Sequence, residues 1–561
     1  MFNRKRLQIF LLMCGSLFLG SISVFAQETE KGRGEQMFSI YPFPWGQPGK
    51  SSNVLHKGPF QSAGFTSNLD SIDPIIESAL TNRTFSGAVM LTARKGVVVK
   101  EGAYGYAYQY EDGSFTKDEQ PIRTTESTIF DIASISKLFT STAILMLYED
   151  NKLQLDDPVS RYLPEFAAND KEQVTIRQLL THTSGFKAWI PLYQTEGNRD
   201  EKIQTVLHYP LDHAPGTTYT YSDLNLITLG ALVEKLTNQR LDEFVTKHIT
   251  KPLGMKDTMY NPPKKLKHRI AATEYQPAIK RGMVWGEVHD ENAWSLEGIA
   301  GHAGVFSTAK DLAIFGHMIL QDGKYKGKQL LEKDTVRLLL DNQTPKFPGD
   351  DHSLGWELNQ SWYMDALSHS TTLGHTGYTG TSLVISKENE TIVVLLTNRV
   401  HPNRTTPAIN PVRREVARKV ADAIPIPAKK QHAMWFAGFG DQLENSLEAN
   451  LSLEKEAKLT FDSWYRMEGR ADSERPDHGS LQITKDGDKW ETIKTFKGFS
   501  SDWEHSELIL PKDTKSIRFL YETDDYGNGR GWYLNNIKVL LSAKDQISVN
   551  WKSDSWIKRK N

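Results

Sequence analysis

At residues 425–433, PIPAKKQHA, the hydrophobic period of the chain changes, and no single layer of structure accommodates both sides of that change. Upstream, NLDSIDPIIESALTN spaces Ile72, Ile75, Ile76 and Leu80 for one helix face. GAVMLTARKGVVVKEGAYGYAY reads as a hairpin turning at RKG, and TSLVISKENETIVVLLTNR (381–399) as a second one turning at KENE. Helical patterns dominate from 137 to about 250, and the helix NPVRREVARKVADAI ends at Pro425. Downstream, GSLQITKDGDKWETIKTF, HSELILP, KSIRFLYETDD and GWYLNNIKVLLS are short alternating strands with Gly/Asp turns. That is an all-β module. The reading is an α/β domain over 67–425, a linker over 426–433 and a β-sandwich over 434–561, the last separable from whatever chemistry the first performs.

The N-terminus reads differently. Arg4, Lys5 and Arg6 precede an apolar stretch, and Val24-Phe25-Ala26 puts small residues at the −3 and −1 positions of a cleavage site. Residues 1–26 are therefore expected to be a secretory signal peptide, which predicts a periplasmic or extracellular protein. The apolar run is short for a membrane span and is broken by glycines and serines. Cys14 is the only cysteine and lies inside it, so the mature chain has no disulfide, thiolate nucleophile or Cys-based metal site. Cleavage removes three basic residues and no acid, taking the formal charge from −2 to −5, and nothing predicts nucleic-acid binding. No later stretch is long and apolar enough to cross a bilayer. Residues 27–66, rich in Gly, Pro and Ser, form an extended lead-in.

Chemistry concentrates around DIASISKLFTST (131–142). Ser134 and Lys137 are three apart, so a helix opening at Ser134 points both the same way. A helix start also offers backbone N–H groups where an acyl oxyanion develops. Burial disfavours the ammonium form of a lysine, and a neutral amine can act as a base. The alternative is an N-cap serine beside a surface lysine. Two later segments favour the site. PGTTYTYSDLNLITLGALVEKL puts Tyr221 just before a helix, and LGHTGYTGTSLVI opens a strand at His375-Thr376-Gly377, where Gly377 lets an acyl substrate approach the backbone. The order S-x-x-K, Y-x-D, H-T-G marks a serine acyl-transfer site.

Residues 67–425 resemble the serine β-lactamase-like proteins, in the branch of class C lactamases, DD-peptidases and esterases. The resemblance is carried by Ser134-x-x-Lys137, LLTHTSG (179–185), Pro215-Gly216 before YSD (221–223), PLGMKDT (252–258) and HTG. It implies an antiparallel sheet with flanking helices beside a mostly helical subdomain, here with a C-terminal jelly-roll-like sandwich added. It implies Ser134 as nucleophile, Lys137 and Tyr221 as its base system, and an oxyanion hole from the N–H groups of Ser134 and Tyr378. Two departures stand out. Asp223 replaces the family's usual asparagine, an amide that hydrogen-bonds substrate, and His375 replaces the lactamase lysine, though a histidine is only partly charged at neutral pH. Both favour esterases and cell-wall hydrolases over lactamases.

RGMVWGEVHDENAWSLEGIAGHAGVFSTAKDLAIFG (281–316) is similar to the branch of secreted amidases that cut N-acetylmuramic acid from L-alanine. The implied substrate is a peptidoglycan fragment or another small acyl or amide compound. A carboxylesterase, a D-amino-acid or DD-peptidase, and a non-catalytic wall-binding or sensor protein are the alternatives. VHDEN is not expected to bind metal, since side chains of consecutive residues diverge and His302 is the only nearby partner. It reads as a polar loop at the mouth, with His289 or Glu291 contacting substrate. No cofactor is expected there. The sandwich resembles accessory domains of secreted hydrolases that bind glycans or cell wall. Trp490, Trp503, Trp532 and Tyr533 suit either sugar stacking or a core, and ETDDYGNG (522–529) has enough oxygen ligands for a structural calcium.

Overall fold

The computed structural model describes Trp45 and residues 51–427, 433–468, 476–525, 527–542 and 545–560; the expected signal peptide lies outside them. After helix α1 (Asp73–Thr81), strands β1 (Gly87–Arg94) and β2 (Val97–Tyr110) form the first hairpin. Its turn residues Lys95 and Gly96 have φ of +52° and +80°. Two positive φ values make the tight turn whose twist matches that of paired strands. Helices α2 (Ser136–Glu149), α3 (Asp223–Thr237) and α4 (Ala309–Leu320) follow. Strands β3 (Thr372–Thr376), β4 (Ser382–Ser386) and β5 (Thr391–Thr397) then return, and α5 (Asn410–Ala423) closes the domain.

The strands pair in the order β2-β1-β5-β4-β3, all antiparallel. β4 and β5 are buried along their whole length because the sheet is covered on both faces. One face packs on α4, and Phe139 of α2, Leu229 of α3 and Phe315 of α4 lie in the same apolar core. The other packs on α1 and α5 through Ile76, Val416 and Val420. The fold class is the one the sequence implied.

The tail is a sandwich. Strands β6 (Glu444–Asn450), β7 (Ala457–Arg466), β8 (His478–Thr484), β9 (Glu491–Lys497), β10 (Glu504–Leu510), β11 (Ser516–Glu522) and β12 (Gly531–Ser542) form two sheets. One runs β10-β7-β12 with edge strands beyond, the other β6-β11-β8-β9. Their inner faces share one core that includes Leu459, Phe461, Leu481, Phe519 and Trp532. Trp532 and Tyr533 are fully buried, so neither can stack on a sugar.

The boundary between domains is packed. Met434, Phe436, Trp464 and Tyr533 belong to the same apolar cluster as α1 and α5, and Trp45 from the lead-in joins it. Ile426, inside the expected linker, is buried there too. Asp422 pairs with Arg530 at 3.0 Å and with Arg559 at 2.7 Å, and Asp441 with Arg414 at 2.6 Å. Among the described residues no helix is long and apolar enough to cross a membrane.

Candidate active site

Ser134 follows a strained residue. Ala133 has φ +46°, a conformation that costs a residue with a Cβ roughly 1–2 kcal/mol. The buried Asp131 carboxylate holds it: Oδ1 accepts the Ala133 N–H at 2.8 Å and Oδ2 the His289 N–H at 2.7 Å. One 3-10 turn, Ala133–Ile135, then leads into α2. Ser136 is fully buried, and its Oγ accepts the Val305 N–H at 3.0 Å. Of the two serines in SISK, Ser136 is structural and Ser134 is the one within reach of Lys137.

Lys137, the second residue of α2, is 1% exposed. Its Nζ donates to Ser134 Oγ at 2.8 Å and to the His302 carbonyl at 3.3 Å, and lies 2.8 Å from Asp223 Oδ1. The Tyr221 hydroxyl hydrogen-bonds with both Lys137 and Ser134. Burial works against the ammonium, but the charge of Asp223 and then Tyr221 outweigh it and raise the Lys137 pKa. The sequence reading weighed burial alone, without the charge of Asp223. Burial raises the Tyr221 phenol as well, with Lys137 acting in the opposite direction.

The motif LLTHTSG positions Tyr221. His182 packs its ring 4.6 Å from that of Tyr221, and its Nδ1 accepts the Ser222 N–H at 3.0 Å. Asn225 reaches the same Nδ1 at 3.1 Å and is itself held by Ser184 Oγ at 2.6 Å. The nitrogen that accepts leaves the ring proton on Nε2. Asp223 is the first residue of α3, which projects its carboxylate toward Lys137. It is thus an ion-pair partner of Lys137, whereas the family's asparagine is expected to face substrate.

β3 closes the other side. His375 is buried with its ring 5.9 Å from Tyr221, and its Nδ1 donates to the Thr376 carbonyl at 2.8 Å. A Cβ at Gly377 would sit 2.5 Å from the Ile132 carbonyl oxygen and 2.1 Å from Thr381 Oγ1. The glycine therefore lets the end of β3 dock on the segment that carries Ser134. Thr379 Oγ1 donates to the Asp131 carbonyl at 2.7 Å and fastens the same contact. Tyr378 is 41% exposed beside this junction.

The residues of VHDEN do diverge. His289 is buried, its Nε2 2.9 Å from Glu274, with its ring stacked on Tyr378 at 5.7 Å. Arg404 pairs with Glu274 and with Glu291, each at 2.5 Å. Burial alone would raise the Glu274 carboxyl, but His289 and Arg404 bring it down to about 2. Asp290 caps the helix Glu291–Ser295 and lies 2.9 Å from His302 Nε2. Burial opposes its charge, yet His302 and the Ala293 N–H hold it well below the usual carboxylate range. Asp223, Asp290 and His302 each bring a metal-ligating atom within 4.8 Å of the others. Lys137 already neutralises Asp223 within that group. Sequence reasoning named neither Asp290 nor His302 as a site residue. The available signal was a lone polar residue in the Gly/Ala-rich run GIAGHAGVF.

The arrangement can perform acyl transfer: a lysine, a phenol and a carboxylate gather around one serine hydroxyl. The family model described as Beta-lactamase matches residues 72–418, and so ends before the sandwich. An N-acetylmuramyl-L-alanine amidase of Bacillus subtilis strain 168 is 33% identical over 377 residues, covering 62% of this chain and 83% of its own. A protein of Escherichia coli strain K12 with the provisional name D-alanyl-D-alanine carboxypeptidase is 33% identical over 391 residues, covering 64% and 88%. Among solved structures, EstCE1, a hydrolase with promiscuous acyltransferase activity, superposes with TM-score 0.50 at 22% identity, covering 62% of this chain and 98% of its own. A penicillin-binding protein homologue from Caulobacter crescentus gives TM-score 0.50 at 16% identity, with 64% and 98% covered. The two structures share the fold of the first domain.

Proposed function

The chain belongs to the beta-lactamase family of serine hydrolases, and from that premise we propose that it is an exported amidase cutting N-acetylmuramic acid from the L-alanine of muropeptides. The observation that carries this is Lys137 Nζ, 2.8 Å from both Ser134 Oγ and Asp223 Oδ1. As the Ser134 proton moves to Lys137, Lys137 passes one to Asp223, and the serine oxygen bonds to the lactyl carbonyl carbon. The N–H groups of Ser134 and Tyr378 receive the oxyanion. The C–N bond breaks as the relay, through Tyr221, returns a proton to the amine of L-alanine. Water then releases the muramic acid carboxyl and regenerates Ser134.

Support for a sugar on the acyl side comes from the rim. Trp189, Trp294 and Tyr378 are exposed by 42%, 38% and 41%. Trp189 follows Ala188, whose carbonyl accepts the Asp223 N–H at 3.0 Å, and Trp294 stands on the helix that Asp290 caps. Flat apolar rings at a mouth suit the C–H face of a pyranose. The similarity to the carboxypeptidase-named protein favours a second reading, removal of a terminal D-alanine.

Mass spectrometry of a purified muramyl peptide after incubation separates the two. The amidase yields free N-acetylmuramic acid and a peptide with a free L-alanine amine, and Ser134→Ala yields neither. Release of D-alanine alone would replace the proposal with the second reading.

A further inference from the structure

An arginine that the acyl-transfer steps leave unused lies behind the end of β3. Arg413 stands in the first turn of α5 and is 6% exposed. Its Nη2 donates to the Gly377 carbonyl at 3.0 Å and to the Thr381 carbonyl at 2.7 Å. Its Nη1 donates to Asn410 Oδ1 at 2.8 Å, which sets the plane of the guanidinium. Its hydrogen-bond partners among the described residues are thus two backbone carbonyls and an amide, with no carboxylate. Such a place is costly for a cation. Burial strips its water, and the first turn of a helix presents the positive end of the dipole. Burial, and then the charge of Arg399, lower its pKa to about 9.

The two carbonyls belong to one turn between β3 and β4. The Gly377 N–H donates to the Thr381 carbonyl at 2.8 Å and the Gly380 N–H to the Gly377 carbonyl at 2.9 Å, so residues 377–381 close on themselves. The Gly377 carbonyl also shares its peptide group with the Tyr378 N–H. In a planar trans peptide these two point in opposite directions, so a cation at the oxygen leaves the N–H facing away from it. That N–H donates to no acceptor among the described residues. A charge-assisted bond to the oxygen draws electron density along the amide and makes its N–H a stronger donor.

We propose that Arg413 is a positioning residue for acyl transfer, whose guanidinium holds and polarises the Gly377–Tyr378 peptide so that the Tyr378 N–H donates to the oxyanion. The inference rests on the reading of Ser134 as nucleophile and Tyr378 as oxyanion donor, and adds what fixes and strengthens that donor. Arg413 touches no reacting atom. Its effect belongs to the transition state, where negative charge reaches the substrate oxygen, and is small in the ground state.

The test uses the full chain with two substitutions. Arg413→Gln removes the charge, and Arg413→Lys keeps a cation on a shorter reach. Three quantities are read: the melting temperature, kcat and KM on a soluble muramyl peptide, and the rate at which a fluorophosphonate ester labels Ser134. In that labelling the serine oxygen bonds to phosphorus, fluoride leaves, and the charged phosphoryl oxygen needs the same N–H donors. Weakening one donor costs less than deleting it, so Arg413→Gln should lose about 10- to 10²-fold in kcat and in labelling rate together, with KM within about threefold. Arg413→Lys should lose less, yet still at least about threefold, and serves alone if the glutamine variant fails to fold. Wild-type rates in folded Arg413→Gln, or in Arg413→Lys where that alone folds, would overturn the proposal and leave an arginine that only packs. A loss confined to KM, or a fall in kcat with labelling unchanged, would place the effect outside the oxyanion and overturn it equally. Failure of wild type to be labelled at Ser134 would instead overturn the serine reading, and this inference with it.

Discussion

Lys137 sits between a hydroxyl and a carboxylate, 2.8 Å from each, so its role rests on whether it can pass a proton. Arginine is the informative replacement. It can keep the ion pair with Asp223, which preserves the fold, but guanidinium stays protonated at any working pH. A positioned general base contributes about 10²–10⁴-fold in rate. Lys137→Arg is therefore expected to lose at least about 10²-fold in kcat with an unchanged melting temperature. A folded variant within a few-fold of wild type would mean that the lysine only packs. Ser134, Lys137 and Tyr221 were legible because spacing along a helix and order along the chain carry that information. The ion pair of Lys137 with Asp223 was not. Asp223 lies 86 positions away on another helix, and only the packing of α2 against α3 brings its charge to the amine.

At the scale of elements, two docking contacts hold the nucleophile: the end of β3 on the turn before α2, and the loop 274–291 behind Tyr378. Gly377→Ala tests the first. Its Cβ would meet the backbone oxygen of Ile132 at 2.5 Å, which no rotamer change relieves. Overpacking of this kind costs about 1–3 kcal/mol. Since the displaced segment carries Ser134, kcat/KM should fall by about 10²-fold or more, from misplacement of the reacting groups. A Gly377→Ala enzyme with full activity would show that the contact does not set the geometry. Sequence suggested a different use for this glycine, close approach of substrate, because the contact with Ile132 spans 245 positions of chain.

The second contact predicts a pH dependence. The Glu274 carboxyl ordinarily titrates near 4.5 and is held at about 2 in the folded chain by His289 and Arg404, against its burial. A depressed carboxyl contributes stability that is fully present above its unfolded pKa and is lost as pH falls toward the folded one. The contribution, on the order of 2–3 kcal/mol, should disappear between about pH 5 and 2. Wild type should therefore lose melting temperature over that window more steeply than Glu274→Gln, measured side by side. Parallel curves would remove the network from the stability of the loop. The helices and hairpins themselves were readable from their period. The Glu274–Arg404 pair was not, since two charged residues 130 positions apart carry no mutual signal in one sequence.

At the scale of the whole molecule, the question is whether the sandwich is an appendage or part of one body. The change of period at 425–433 marks a boundary in the chain, and the chemistry respects it: every residue placed at the site precedes Pro427. The packing does not respect it. Phe436, Trp464 and Tyr533 cover an apolar face of the cluster that α1 and α5 build, and Trp45 lies under the Arg466 guanidinium at 4.8 Å. The Trp503 indole N–H donates to the Pro427 carbonyl at 2.8 Å. Ending the chain at Pro427 would expose that apolar face and leave Asp422 without Arg530 and Arg559. Losing several buried aromatic contacts should cost a few kcal/mol, which for a domain of this size lowers the melting temperature by on the order of 10 °C. Among the described residues no interaction given for the site reaches beyond the cut, so turnover of a soluble muropeptide at low temperature should stay close to that of the full chain. Differential scanning calorimetry and a rate measured well below the transition check both halves. A truncated chain that melts with the full one would make the shared core energetically idle; one that stays folded but cannot turn over would mean that the sandwich shapes the Ser134 site through α5.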